Sequence, residues 1–146
     1  HSYEEVAYSV FNLNNENQNV GSGMIGELSI AENSLDFLGT LKNNLNADGI
    51  RYTSLVKNKI KKVAICGGSG SFLLQAAIRS GADVFITGDF KYHEFFDAEN
   101  KIIIADVGHY ESEQYTKDLI ADFLSEKFPK FAVHLSKVNT NPINYL

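Results

Sequence analysis

Only one cysteine, Cys66, occurs in the 146-residue sequence. An internal disulfide is therefore excluded, as is any zinc site built on several thiolates, and a lone thiol fits a reducing compartment. No apolar run approaches the roughly 18 to 20 residues of a membrane span, and no basic stretch leads into an apolar one near residue 1. A cytoplasmic location with no membrane contact is expected. Positive charge is not in excess either: the formal net charge is -5, and binding to phosphate backbones needs clustered cations, which argues against a nucleic-acid partner. The one basic cluster, Lys57, Lys59, Lys61 and Lys62, precedes an apolar segment and reads as a solvated linker. Internal repeats and low-complexity tracts are also absent, which removes solenoids and disordered tails.

What is present is ordinary globular composition, with 44% hydrophobic and 21% charged residues. That is enough for one domain with a real core. The chain opens on His1 rather than methionine, with a strand-like alternation at Tyr3, Val6, Tyr8 and Val10 followed by a polar stretch over 12–19. An alternating strand needs a partner, and none follows directly. Residues 14–26 are rich in Asn and Gly and read as a linker or as a loop where backbones approach closely. The expected division is an N-terminal arm and linker over 1–26 and an α/β unit over 27–146.

From Ser34, a candidate N-cap, the residues Leu35, Phe37, Leu38, Leu41 and Leu45 recur at helical spacing. Short apolar runs then alternate with amphipathic segments. The pattern predicts strands over 50–52, 62–66, 83–87, 102–107 and 131–135, and helices over 71–80, 91–98 and 109–127. Such alternation implies an α/β fold whose mostly parallel sheet carries helices on both faces. The runs Val63–Cys66 and Ile102–Ala105 are continuously apolar, as strands buried on both sides must be.

In an open parallel sheet, ligands bind beyond the carboxyl ends of the strands. Three loops fall there: 67–71, 87–93 and 108–113. His109 and Glu113 are four residues apart, so on a helix they project side by side, on a stripe shared with Thr116, Ile120, Phe123 and Leu124. That stripe reads as core-facing. The pair offers the nitrogen and oxygen donors that zinc, manganese and iron accept. Its structural alternative is a helix-dipole carboxylate beside a packed imidazole. Asp89 and His93 repeat the same spacing at the neighbouring strand end, as general base, orienting group or further ligand, or else with Asp89 as a helix cap. The glycine loop with Gly68, Ser69 and Gly70 either presents N–H groups to an anion or turns tightly for close packing. It lacks the Walker ending and the last glycine of the dinucleotide fingerprint, where Leu73 stands instead. Cys66 reads as a small core residue before it reads as a nucleophile.

Four motifs then follow in order: Cys66-Gly-Gly-Ser-Gly-Ser71, Gly81-Ala-Asp-Val-Phe-Ile-Thr-Gly-Asp89 with His93, Gly108-His109-Tyr-Glu-Ser-Glu113, and Thr140-Asn-Pro142. Together they resemble the C-terminal half of the GTP cyclohydrolase I type 2 homologue family, also called NGG-interacting factor 3-like. The segment Gly21–Glu27 looks like that family's glycine-rich stretch, but Met24 stands where a basic residue is expected, so no anion contact is assigned to it. Residues 1–8 look like the last strand of a ferredoxin-like domain that some bacterial members insert between their halves.

The resemblance implies a site for two divalent metal ions (zinc, manganese or iron) in a cleft between two similar halves, and a homo-oligomer, a toroidal hexamer. It makes His109 and Glu113 metal ligands and lines the same cleft with Thr87, Asp89 and His93. The other ligands, a histidine cluster and an aspartate, belong to an N-terminal half that this sequence does not contain. The expected function is a metal-dependent hydrolase-like activity on an unknown small-molecule substrate, with Asp89 or His93 managing protons. The alternative is a metal-stabilised scaffold or regulatory binding protein. Two ligands do not enforce a dinuclear geometry, so this chain alone is expected to bind metal weakly or not at all and to be inactive.

Overall fold

Continuously apolar strands mark the centre of the sheet. The computed structural model describes residues 20–146; the strand expected from Tyr3 to Val10 and the polar stretch after it lie outside the described residues. Strands β3 (Lys59–Ser69), β4 (Val84–Gly88) and β5 (Ile103–Asp106) run parallel to one another. β4 and β5 are buried at every position, which is why they read without alternation. Two further strands pair antiparallel at the edges, β1 (Met24–Asn33) on β3 and β2 (Arg51–Tyr52) on β5. The order is β1-β3-β4-β5-β2. The sheet is thus parallel inside and antiparallel at both margins.

β1 corrects the expected linker. The glycine-rich stretch joins the sheet at Met24, and the division expected between residues 26 and 27 falls inside this strand. Among the described residues β1 is an edge strand exposed over most of its length, and its register shifts between Glu27 and Glu32. It therefore shows neither alternation nor an apolar run. Just before it, a Cβ on Gly23 would lie 2.8 Å from the Ile65 carbonyl oxygen, so the glycine serves close backbone approach.

Helices cover both faces. On one, α1 (Ser34–Asn44) places Phe37 and Leu38 against Ile60, Val84, Ile86 and Ile103. On the other, α2 (Leu74–Arg79) and the 3-10 turns Tyr92–Ala98 pack on Ala64, Phe85, Ile102 and Ile104. Phe85 and Ile104 are at most 1% exposed, and burying each contributes roughly 1.5–3 kcal/mol, so the centre and not the edges holds the sheet together. Asn33, not Ser34, caps α1, its Oδ1 accepting from the N–H groups of Leu35 and Asp36 at 2.9 and 3.4 Å. Ser34 is buried and donates to the Lys57 carbonyl.

The long helix expected over 109–127 is two helices, α3 (His109–Glu113) and α4 (Thr116–Lys127). Tertiary bonds to the end of α1 anchor the break. Gln114 Nε2 donates to the Leu45 carbonyl at 2.7 Å, and the Tyr115 hydroxyl donates to the Asn44 carbonyl at 3.2 Å. The turn between the helices redirects the apolar stripe: Ile120 and Phe123 are more than half exposed, and Ala121 is the one buried residue of α4. The expected core-facing stripe is therefore not core-facing here. No strand forms over 131–135 either; β2 already occupies the free side of β5, and residues after Lys127 carry no helix or strand. Among the described residues no helix is long and apolar enough to cross a membrane.

Candidate metal centre

The carboxyl ends of β3, β4 and β5 converge on glycines, and the glycines let three backbones touch. A Cβ on Gly88 would lie 2.9 Å from the carbonyl carbon of Gly108 and 2.9 Å from the N of His109, so the end of β4 sits directly on the start of α3. Gly68 has φ +62°, and a Cβ there would lie 2.5 Å from Glu113 Oε1 and 3.3 Å from His109 Cε1. Glycine meets both demands, the left-handed backbone and the missing side chain.

His109 is held between two carboxylates. Its Nδ1 lies 2.6 Å from Asp89 Oδ2 and its Nε2 lies 3.2 Å from Glu113 Oε2. Asp89 reaches it from a left-handed backbone, φ 57°, which aspartate tolerates better than most residues. All three side chains are about half exposed. The hydrogen bond that His109 donates to Asp89 raises the imidazole pKa above its ordinary value of 6.5, partial burial opposes this, and the charges of Asp89 and Glu113 add to the rise. The resulting row is carboxylate, imidazole, carboxylate.

Asp89 therefore belongs with His109, and not with His93. The 3-10 turns begin only at Tyr92 with Lys91 as the cap residue, so Asp89 and His93 share no helix face and Asp89 caps nothing there. His93 is exposed, its ring edge-on to Tyr92 at 5.2 Å, and among the described residues it makes no hydrogen bond or ion pair to the row. The structure does not bring His93 into the site.

The glycine loop also changes meaning. Gly68 N–H donates to Ser112 Oγ at 2.8 Å and Gly70 N–H donates to Thr87 Oγ1 at 3.1 Å. Those two donors are satisfied internally, which leaves them no lone anion to cradle. The Thr87 hydroxyl in turn donates to the Gly68 carbonyl at 3.2 Å, tying the loop to β4. Gly70 is needed for room, since a Cβ there would overlap the Thr87 side chain and lie 2.8 Å from Cys66 Cβ. Cys66 is buried; burial, then the nearby Glu113 charge, pushes its thiol up, which keeps it an uncharged core residue.

Two buried carboxylates escaped the sequence reading. Asp106 at the end of β5 is 3% exposed and accepts from Phe90 N–H and Gly108 N–H, both at 3.0 Å, and from the Arg51 guanidinium. It is the one charge in an apolar run from Ile102 to Val107, a signal that partners must exist. Glu111, 4% exposed, accepts from Asn141 Nδ2 at 3.0 Å. Its signal was weaker: a third polar residue between two expected ligands, paired with an asparagine of the Thr-Asn-Pro motif.

The donor set fits a metal ion in part. Asp89 on Nδ1 fixes the tautomer and leaves Nε2 facing Glu113, the usual outer-sphere arrangement around a metal-binding histidine. Nε2 and a Glu113 oxygen are donors that zinc, manganese and iron accept. Among the described residues no group of three or more His, Cys, Asp and Glu side chains is arranged to hold an ion. Asp89 is committed to the far nitrogen, so the row offers two ligands and no more. A cavity of about 570 Å³ opens beside His109 and Glu113. Another, of about 530 Å³, lies beyond β2 between Arg51 and Phe96 and shares no residue with the row.

Comparison with known proteins agrees with this architecture. The family model described as Duf34/NIF3 (NGG1p interacting factor 3) matches residues 4–142. A protein of Staphylococcus epidermidis named GTP cyclohydrolase 1 type 2 homolog is 35% identical over 149 aligned residues, covering 99% of this chain and 40% of that protein. One of the same name from Bacillus subtilis is 33% identical, over 100% of this chain and 40% of its own. A crystal structure of a Bacillus cereus protein related to NIF3 superposes with a TM-score of 0.75 at 33% identity, covering 100% of this chain and 41% of that one. The chain thus spans about two fifths of the length of the curated relatives it matches. With most of its residues matched by the family model and its sheet matched by a solved relative, the chain belongs to the Duf34/NIF3 (NGG1p interacting factor 3) family.

Proposed function

We propose that this chain contributes part of a dinuclear-metal site to a hydrolase-like protein, with His109 Nε2 and Glu113 as its ligands to divalent metal. The observation that carries the reading is the row Asp89, His109, Glu113, in which one carboxylate orients the imidazole and the other faces its outward nitrogen. When bound, a divalent ion supplies Lewis acidity and water activation at neutral pH. The chain's own residues do the rest. Asp89 holds the proton on Nδ1, Glu113 carries negative charge to the ion, and Thr87 and Ser112 brace the glycine loop that closes the floor of the crevice. The relatives' name refers to GTP cyclohydrolase, yet no purine-selective feature stands in the sequence, so the substrate class at this level is an unspecified small molecule.

A second reading, a metal-stabilised scaffold, draws on the exposed apolar residues Leu119, Ile120 and Phe123 of α4, which suit assembly into a homo-oligomer such as the toroidal hexamer. Titration calorimetry with zinc and manganese separates the claims. Weak binding that disappears in His109→Ala is expected, because two ligands bind without enforcing geometry. Tight stoichiometric binding unaffected by that change would overturn the ligand assignment. In the longer protein, Glu113→Gln is expected to abolish turnover of a nucleotide and phosphoester panel with manganese; a change in assembly or metal content alone would favour the scaffold.

A further inference from the structure

The Thr140-Asn141-Pro142 motif has no part in the row of His109 and its carboxylates, yet a buried carboxyl group holds it. Residues 128–146 form no helix or strand, so nothing regular fixes their path. Among the described residues their side-chain hydrogen bond to the rest of the fold is to Glu111, 96% removed from solvent, whose Oε1 accepts from Asn141 Nδ2 at 3.0 Å. Burying a carboxylate is costly unless its oxygens are paired, so this bond is a structural commitment and not a surface accident. Two local bonds shape the segment further. Asn141 N–H donates to Asn139 Oδ1 at 2.9 Å, and Ile143 N–H donates to Asn141 Oδ1 at 3.1 Å.

Pinned in this way, the segment becomes the far wall of the 570 Å³ cavity whose near wall carries His109 and Glu113. The volume suits a small organic molecule. The wall is largely apolar, with Val138, Pro142 and Ile143, and Thr140 adds a hydroxyl. Among the described residues Lys117 is the one lysine or arginine lining it, and there it makes no ion pair. In a chain of net charge -5, an unpaired ammonium beside a candidate metal pair selects for negative charge.

We infer that residues 138–143 are a substrate-binding strap, fastened by Glu111, and that the cavity takes a small organic anion. The anionic group, a phosphate or a carboxylate, sits between Lys117 and the His109–Glu113 end, and an apolar or aromatic body lies against Val138, Pro142 and Ile143. The inference rests on the proposed metal pair only for the end of the ligand nearest His109; the strap and Lys117 stand without it.

The test is an amide NMR titration of the 15N-labelled chain with phenyl phosphate, without metal and then with zinc, and with benzyl alcohol as the uncharged control. Saturable shifts at Lys117, Val138, Thr140 and Ile143 are expected. Lys117→Ala should weaken phenyl phosphate about tenfold, the worth of one charge-assisted hydrogen bond, while leaving benzyl alcohol unchanged. Ile143→Ala, at an exposed position that the fold does not need, should weaken both. Glu111→Ala should abolish both and Glu111→Gln, which keeps an acceptor oxygen, should retain them. Shifts confined to α4, no shift at millimolar probe, or strap shifts indifferent to Lys117→Ala and Ile143→Ala would each overturn the inference. If zinc leaves His109 unperturbed while the strap shifts persist, the metal reading falls and the strap stands.

Discussion

Asp89 and His109 lie 20 residues apart in the chain and meet at 2.6 Å, carboxylate on Nδ1. That contact decides which nitrogen of the imidazole is left outward. Asp89→Asn replaces a charge with a dipole, and the His109 pKa is expected to fall back toward its ordinary 6.5. Imidazole 15N NMR of the metal-free chain reads both the pKa and the tautomer. An unchanged titration curve would remove Asp89 as the orienting group.

The same raised pKa gives a pH dependence with a definite sign. His109 is protonated more readily folded than unfolded, so its contribution to stability is fully present below about 6.5 and is lost as pH rises through the higher folded value. Zinc runs the other way, since it needs Nε2 without its proton. Apparent zinc affinity should therefore rise between about pH 6 and about pH 8, while metal-free stability does not. Parallel calorimetry and urea melts at the two pH values compare them.

Two glycines of one loop should fail differently. In Gly68→Ala the new methyl displaces the flexible carboxylate of Glu113 and strains a left-handed backbone, at roughly 1–2 kcal/mol. Zinc-dependent NMR shifts at Glu113 should vanish while the fold persists. In Gly70→Ala the methyl meets Thr87 and Cys66 within the packed sheet, an overpacking that costs about 1–3 kcal/mol or more. Urea midpoints should fall further for Gly70→Ala than for Gly68→Ala.

Thr87→Val keeps the shape of a fully buried side chain and deletes its hydroxyl. Gly70 N–H and the Gly68 carbonyl then lose their partner, a loss of roughly 2–4 kcal/mol for two buried groups. A destabilisation below about 0.5 kcal/mol by chemical denaturation would show that water replaces the hydroxyl.

Asp106→Ala strands the buried N–H of Phe90 and the half-buried N–H of Gly108 and is expected to cost about 3 kcal/mol. Arg51→Met removes the opposite partner, whose side chain is 63% exposed, and should cost under about 1 kcal/mol. Equal effects would mean the ion pair, and not the two backbone bonds, is what Asp106 is there to make.

Much of this fold is readable in advance, for identifiable reasons. Ile102–Ala105 announced itself because a strand covered on both faces must be apolar throughout, whereas Val63–Cys66 carries the same signal with one face partly open, Ile65 being 42% exposed. β1 did not, because an exposed edge strand with a register shift has no period to read. The single helix over 109–127 was wrong for a similar reason: the break at Gln114 and Tyr115 is anchored by the end of α1, and local spacing carries no trace of partners 69 and 71 residues away. His109 and Glu113 were legible because they lie on one short helix. Asp89 was paired by spacing with His93, but its partner, His109, is across the crevice, where a spacing argument cannot reach.

The contact between Gly88 and the Gly108–His109 peptide sets the width of the crevice. Backbone against backbone has no rotamers to exchange and no methyl groups to trade, so this dimension cannot be tuned by repacking the core around it. Any side chain at Gly88 would drive the start of α3 away from β4 and carry His109 off Asp89. The site is therefore gauged by the thickness of two peptide units, a ruler that substitutions elsewhere in the chain leave at the same length.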